Sequence, residues 1–289
     1  MYAIALKQAQ YLTYVLHDQT TDARLEIVPE RGGLVTHWQF QGRDILYFDA
    51  ERFADASKSV RGGIPILFPI CGNLPDNTYT LDSQDYKLKQ HGFARDLPWE
   101  VSDRGTTEDA HLTLTLSSNN ETLQVYPFEF QVAFTYRLQG NTLTLEQHVT
   151  NGSDRPMPFS LGLHPYFLTT DKSQLQFEIP SQHYQDQDSQ EVHTLEGEFD
   201  WTAEEIDIAF FDLDRQSAVV TNPEQEIRLT LEWSEAYSIL VFWTVKGKDY
   251  YCLEPWSGPR NALNTGTHLI TVPPHETQSL QVKLTAELL

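Results

Sequence analysis

Two stretches of this chain set cations among residues that shape a backbone. Arg61-Gly62-Gly63-Ile64-Pro65 is followed, after a polar loop, by Gln90-His91-Gly92-Phe93-Ala94-Arg95. Glycine lets backbone approach a neighbour closely and proline fixes φ, so such stretches have a specified shape. Rigidly held loops often carry function. Two readings stand side by side at this point: a cationic site, or a packed turn whose arginines pair with some of the chain's many acids.

Two further stretches carry groups that transfer protons. His164 lies in Ser160-Leu161-Gly162-Leu163-His164-Pro165-Tyr166-Phe167, and Glu254 in Tyr251-Cys252-Leu253-Glu254-Pro255-Trp256. On its own, His164, locked by the proline that follows it, reads more readily as a satisfied structural histidine than as a general acid. Glu254 at a strand end needs a partner, and desolvation would shift its pKa; a salt bridge to Arg260 is the plain alternative to a catalytic role. Asp207 leads from a polar tract into Ile208-Ala209-Phe210-Phe211, which makes it the acid of that tract closest to packed structure. Asn261-Ala262-Leu263-Asn264-Thr265-Gly266 reads as a turn.

Other chemistries find no template. There is no G-x-S-x-G elbow, Walker A loop or dinucleotide fingerprint. The histidines lack zinc-ligand spacing and paired CxxC is absent, so neither a cofactor nor a dedicated metal site is expected. What is left is a histidine, a glutamate, arginines and many aromatic residues, a set that suits a cleft for sugar rings.

The elements that must position these residues are strands. Leu112, Leu114 and Leu116 alternate with polar residues, as do Val132, Phe134, Tyr136 and Leu138, then Leu143, Leu145 and Val149. Ile227, Leu229, Leu231 and Trp233 continue the pattern, and Leu280, Val282 and Leu284 close it. Ile239 to Trp243 is apolar throughout, as in a strand buried on both faces. Gln139-Gly140-Asn141-Thr142 between two such runs predicts a hairpin. Helix is expected only briefly, over Glu51 to Ser59 and Thr202 to Asp207. The tract from Gln182 to Glu205 reads as an exposed rim loop. The expected fold is all-β, a large antiparallel sandwich, with residues 1–289 forming one domain.

The chain has 289 residues, enough to bury about 75% of its unfolded surface. Its net charge of −21 excludes nucleic acid and anionic membrane surfaces as expected partners. An anionic substrate would meet a repulsive field and need arginine or lysine placed locally. The first residues show no signal peptide and no run of 18 apolar residues occurs, so a cytoplasmic protein is expected. Cys71 and Cys252 are too few for a disulfide framework, and their pairing is open. A monomer or weak homodimer is expected.

Taken together, the arginine–glycine stretch, His91-Gly92-Phe93-Ala94-Arg95, Leu163-His164-Pro165-Tyr166-Phe167 and Glu254-Pro255-Trp256 resemble the aldose 1-epimerase (mutarotase) superfamily. They are closest to the branch that includes glucose-6-phosphate 1-epimerases. The resemblance runs in the family's order from about residue 20 to the end. It implies a galactose mutarotase-like β-supersandwich and an isomerase that interconverts the α and β anomers of a hexose. It further implies His164 as general acid, Glu254 as general base and His91 as a second histidine at the ring oxygen. Asp207 would bind sugar hydroxyls, and Arg61, Arg95 and Gln90 would face the phosphate of a hexose 6-phosphate. Pro165 departs from the small polar residue usual in galactose-type members, which turns the expectation away from galactose. The alternatives are an epimerase of unphosphorylated aldoses and a non-catalytic carbohydrate-binding protein. The acid–base reading expects Glu254 ionised and His164 charged by the surrounding carboxylates.

Overall fold

Alternating apolar residues become cross-strand rows. A computed structural model describes residues 1–195, 197 and 199–289. In one eight-stranded sheet, Leu112 stands opposite Tyr136, Tyr136 opposite Leu145, Leu145 opposite Val282 and Val282 opposite Trp233. All five are buried, so one face of this sheet is core and the polar alternates face out. The predicted hairpin is present: Gln139 pairs with Thr142 across Gly140-Asn141, and Gly140 takes a φ of +61°.

A second eight-stranded sheet holds the strands Glu205–Phe210, Ile239–Val245, Tyr250–Trp256, Gly162–Leu163 and Ile66–Leu67 in neighbouring positions. Its pairings are antiparallel, and the register decides what each face carries. Asp207 is opposite Trp243, Trp243 opposite Cys252, and Val241 opposite Glu254. Because side chains alternate, Glu205, Asp207, Val241, Trp243, Cys252, Glu254 and Trp256 share one face. Ile208, Phe210, Leu240, Phe242, Tyr251 and Leu253 share the other and join the apolar core with the first sheet. This explains the continuous apolar run at Ile239–Val245: one face is core, and the other is the floor of a cleft.

Several local expectations are corrected. Helix at 51–59 is confined to Ala50–Ala54, capped by the Asp49 side chain, and the chain turns at Asp55. Thr202 to Asp207 is not helical: Glu205 starts a strand whose pairing with Ile239–Val245 overrides the local helix preference. The 182–205 tract is not all loop, since His183–Asp186 and Val192–Thr194 form a hairpin on the edge of the second sheet. Glu196 and Glu198 of that tract lie outside the described residues. Cys71 and Cys252 are both buried and unpaired. No helix among the described residues is long and apolar enough to cross a membrane.

Candidate active site

The arginine stretch is bonded directly to the histidine stretch. The His164 backbone N–H donates to the Pro65 carbonyl at 3.0 Å, and Tyr166 N–H to Gly63 at 2.9 Å. This brings His164 over the cleft floor, where its ring stacks on Tyr166 with centroids 4.8 Å apart. Glu254 rises from the neighbouring strand, and its Oε1 lies 3.3 Å from His164 Nε2. The other Glu254 oxygen, Oε2, accepts from the Trp256 indole N–H at 3.0 Å. Both residues are buried, Glu254 to 1% exposure and His164 to 8%. The alternative reading of Glu254, a salt bridge to Arg260, is not what the structure shows. Arg260 instead pairs with Asp207, and its aliphatic stem crosses Gly72, where a Cβ would lie 2.4 Å from Arg260 Cγ.

His91 is held by a reciprocal pair of hydrogen bonds. Its backbone N–H donates to the Gly72 carbonyl at 2.7 Å, and Gly72 N–H donates to His91 Nδ1 at 3.0 Å. Nδ1 is therefore the acceptor nitrogen, and the neutral ring carries its proton on Nε2. Arg95 Nη2 donates to the Gln90 carbonyl at 3.0 Å. Beneath this loop, Gly32, at φ +74°, packs so closely that a Cβ would meet the Arg95 carbonyl oxygen at 2.2 Å. Arg61 lies over the Trp243 ring, 4.9 Å from its centroid.

All seven residues singled out from the sequence line one cleft of about 260 Å³: Arg61, Gln90, His91, Arg95, His164, Asp207 and Glu254. Ion pairing bears on the earlier choice between a cationic site and a paired turn, and it does not support the paired turn. Neither Arg61 nor Arg95 has a carboxylate oxygen within 4.0 Å among the described residues. Arg31, Arg52 and Arg104 also lack one, whereas Arg24, Arg43, Arg137, Arg155, Arg215, Arg228 and Arg260 each have at least one. Of the unpaired arginines among the described residues, Arg61 and Arg95 are those that line the cleft. Two half-buried, unpaired arginines in so acidic a chain leave positive charge available to an anion.

The electrostatics reverse one expectation. Burial, then Arg95 and Arg61, lower His164 to about 3. The same burial and Arg95 hold His91 well below its ordinary value. Burial, then Asp207, raise Glu254 well above the usual carboxylate range, and the Trp256 hydrogen bond opposes that rise. Asp207 is also raised by burial, with Arg260 opposing. The net charge of −21 does not set His164's state, because burial of the imidazole, with Arg95 and Arg61, outweighs it. Burial thus favours the form of the His164–Glu254 pair in which both groups are neutral, with the shared proton on Glu254.

Cys252 joins His164 and Glu254 as the one group of three potential metal-ligand side chains among the described residues, with donor atoms within 4.8 Å. Its thiol is pushed well up by burial, Trp256 occupies one Glu254 oxygen, and Arg61 and Arg95 bring positive charge to His164. This set suits a shared proton better than a cation. Sequence reasoning missed Tyr166, Trp243, Trp256, Glu205 and Arg260 as cleft residues. The signal for Trp243 and Trp256 was parity: they alternate in phase with Glu254 and Cys252 once the two strands are paired.

The antiparallel sandwich thus carries a cleft that holds a buried imidazole–carboxylate pair beside two unpaired arginines. The chain belongs to the aldose 1-epimerase family, a family of isomerases, whose model matches residues 15–285. Among curated relatives, a putative glucose-6-phosphate 1-epimerase of Cenchrus ciliaris is 29% identical over 157 residues. That match covers 51% of this chain and 44% of the relative, so it spans about half of that protein's length. A crystal structure of a Synechocystis sp. PCC 6803 protein is 49% identical, covers 100% of both chains and superposes with a TM-score of 0.95. A galactose mutarotase-like protein of Clostridium acetobutylicum shares the fold at 23% identity, covering 100% of this chain and 99% of its own, with a TM-score of 0.86.

Proposed function

We propose that the protein interconverts the α and β anomers of a hexose 6-phosphate such as glucose 6-phosphate. The observation that carries this reading is the pair of unpaired arginines, Arg61 and Arg95, beside the buried His164–Glu254 pair in one cleft. Arg61, Arg95 and Gln90 hold the phosphate, and Asp207, oriented by Arg260, accepts from sugar hydroxyls. His91 donates from Nε2 to the ring oxygen.

Phosphate binding also prepares the acid–base pair. Burial, then Arg95 and Arg61, lower His164, whereas Arg95 is only the smallest influence lowering Glu254 and Arg61 is not among them. An anion that neutralises the two arginines therefore shifts the shared proton's balance from Glu254 Oε1 towards His164 Nε2 across the 3.3 Å contact. Glu254 is then the base and His164 the acid. Glu254 takes the C1 hydroxyl proton, and the C1–ring oxygen bond breaks with its electron pair passing to that oxygen. His164 protonates the ring oxygen, and C1 becomes a carbonyl. Rotation about C1–C2 presents the other carbonyl face, and closure returns each proton along the same path.

The test is anomer exchange followed by NMR on glucose 6-phosphate and on glucose. A charge-assisted hydrogen bond contributes about 1.5–3 kcal/mol, so kcat/KM should favour the phosphate by roughly 10- to 100-fold. Arg95→Ala should erase that preference. Equal kcat/KM on the two sugars in the wild type would remove the phosphate from this account.

A further inference from the structure

Arg61 has no carboxylate partner among the described residues; its guanidinium lies over the Trp243 ring, beside the Tyr166 and Tyr250 hydroxyls. That indole is fixed in turn by Glu205, whose Oε1 accepts the Trp243 Nε1–H at 2.5 Å. Glu205 and Trp243 sit on adjacent strands: Trp243 is opposite Asp207, and Glu205 is two residues before Asp207 on the same face. All three members of the chain line the cleft. Tyr250 stacks on the indole with centroids 5.5 Å apart, and His164 meets the ring edge-on at 5.6 Å. Trp243 therefore touches both the arginine and the imidazole, and Glu205 holds its only polar atom.

We propose that Glu205 is a positioning residue that sets the cleft's preference for an anionic sugar by holding Trp243 under Arg61. The inference rests on the reading that Arg61 grips the phosphate. A carboxylate accepting from an indole N–H acts in two ways. It fixes the ring's orientation, and its negative charge at the N–H edge strengthens the ring face as a seat for a cation. Glu205 does this without touching the anion. Without the acceptor, the half-buried guanidinium keeps its contacts with the Tyr166 and Tyr250 hydroxyls but loses the fixed ring beneath it, and the phosphate meets a less firmly held arginine.

A direct electrostatic role for Glu205 would have the opposite sign. A carboxylate on the rim of an anion site repels the anion, so its removal would tighten phosphate binding. Glu205→Gln separates the two effects, because the amide oxygen still accepts from the indole while the charge is gone.

The experiment measures KM and kcat of the full-length protein on glucose 6-phosphate and on glucose for Glu205→Ala, Glu205→Gln and Arg61→Ala. Glu205→Ala should raise KM for glucose 6-phosphate about tenfold, with KM for glucose and both kcat values within about twofold of wild type. Glu205→Gln should recover most of the loss, and Arg61→Ala should raise the phosphate KM at least as far as Glu205→Ala. A lower phosphate KM in Glu205→Ala, or equal increases for both sugars, would overturn the positioning role. If Arg61→Ala raises the phosphate KM and Glu205→Ala does not, the anion reading survives and the Glu205 inference fails. If Arg61→Ala leaves the phosphate KM unchanged, both fall together.

Discussion

Replacing Trp256 by Phe removes one hydrogen bond and keeps an aromatic ring beside His91. The indole N–H donates to Glu254 Oε2 at 3.0 Å in a buried setting, and it opposes the burial that raises this carboxyl. A hydrogen bond to a charged group contributes about 1.5–3 kcal/mol, which is roughly 1–2 pKa units at 1.36 kcal/mol each. Its loss should raise Glu254's proton affinity by that much and draw the shared proton back from His164. The population with Glu254 as base and His164 as acid then falls about 10- to 100-fold, and kcat near pH 7 falls with it. The pair also keeps its one proton to higher pH, so the alkaline limb of the kcat/KM profile moves up by roughly 1–2 units. The assay is anomer exchange by NMR across pH, with an unfolding curve to show that the variant is folded. A folded Trp256→Phe protein with kcat within twofold of wild type and an unmoved alkaline limb would refute the shared-proton reasoning.

Two further outcomes follow from the same geometry. His91 cannot accept a proton on Nδ1 without losing the Gly72 N–H bond, so the unfolded chain, with histidine near 6.5, binds a proton below that pH which the folded state does not. Stability attributable to His91 is thus present above pH 6.5 and lost on acidification, by up to about 2 kcal/mol at pH 5. Denaturant unfolding at pH 7 and 5 should show a drop smaller by that amount in His91→Gln, and an identical drop would contradict it. Gly72→Ala, at φ +66° and with its Cβ 2.4 Å from Arg260 Cγ, should push Arg260 off Asp207. KM should rise several-fold for both glucose and glucose 6-phosphate, and unchanged kinetics would show that Arg260 does not orient Asp207.

Much of the fold was legible because a period of two leaves a direct record. Leu112, Tyr136, Leu145, Val282 and Trp233 each sit in their own alternating run, and pairing those runs builds one buried row. The stretch 202–207 was misread because short, acid-rich segments carry helix propensity, while Ile206, Ile208 and Phe210 take their places from a neighbouring strand. The site's residue types were visible for the same reason as its resemblance, since cations, His164 and Glu254 stand in distinctive local contexts. Their partners were not. Arg260 reaches Asp207 across 53 positions of chain, and no local pattern distinguishes that from a contact with Glu254. Protonation states were hidden more deeply, because a net charge of −21 describes the surface, whereas His164 responds to burial and two arginines.

The central claim is that His164 and Glu254 exchange protons with a bound hexose. It is tested most directly by the α–β exchange rate of glucose 6-phosphate, measured by NMR at pH 7 with the wild type, His164→Ala and Glu254→Gln, each shown to be folded. A positioned acid or base contributes about 10²–10⁴-fold, so the account predicts that each variant loses at least about a hundredfold in kcat. Near-normal turnover in either folded variant would contradict it.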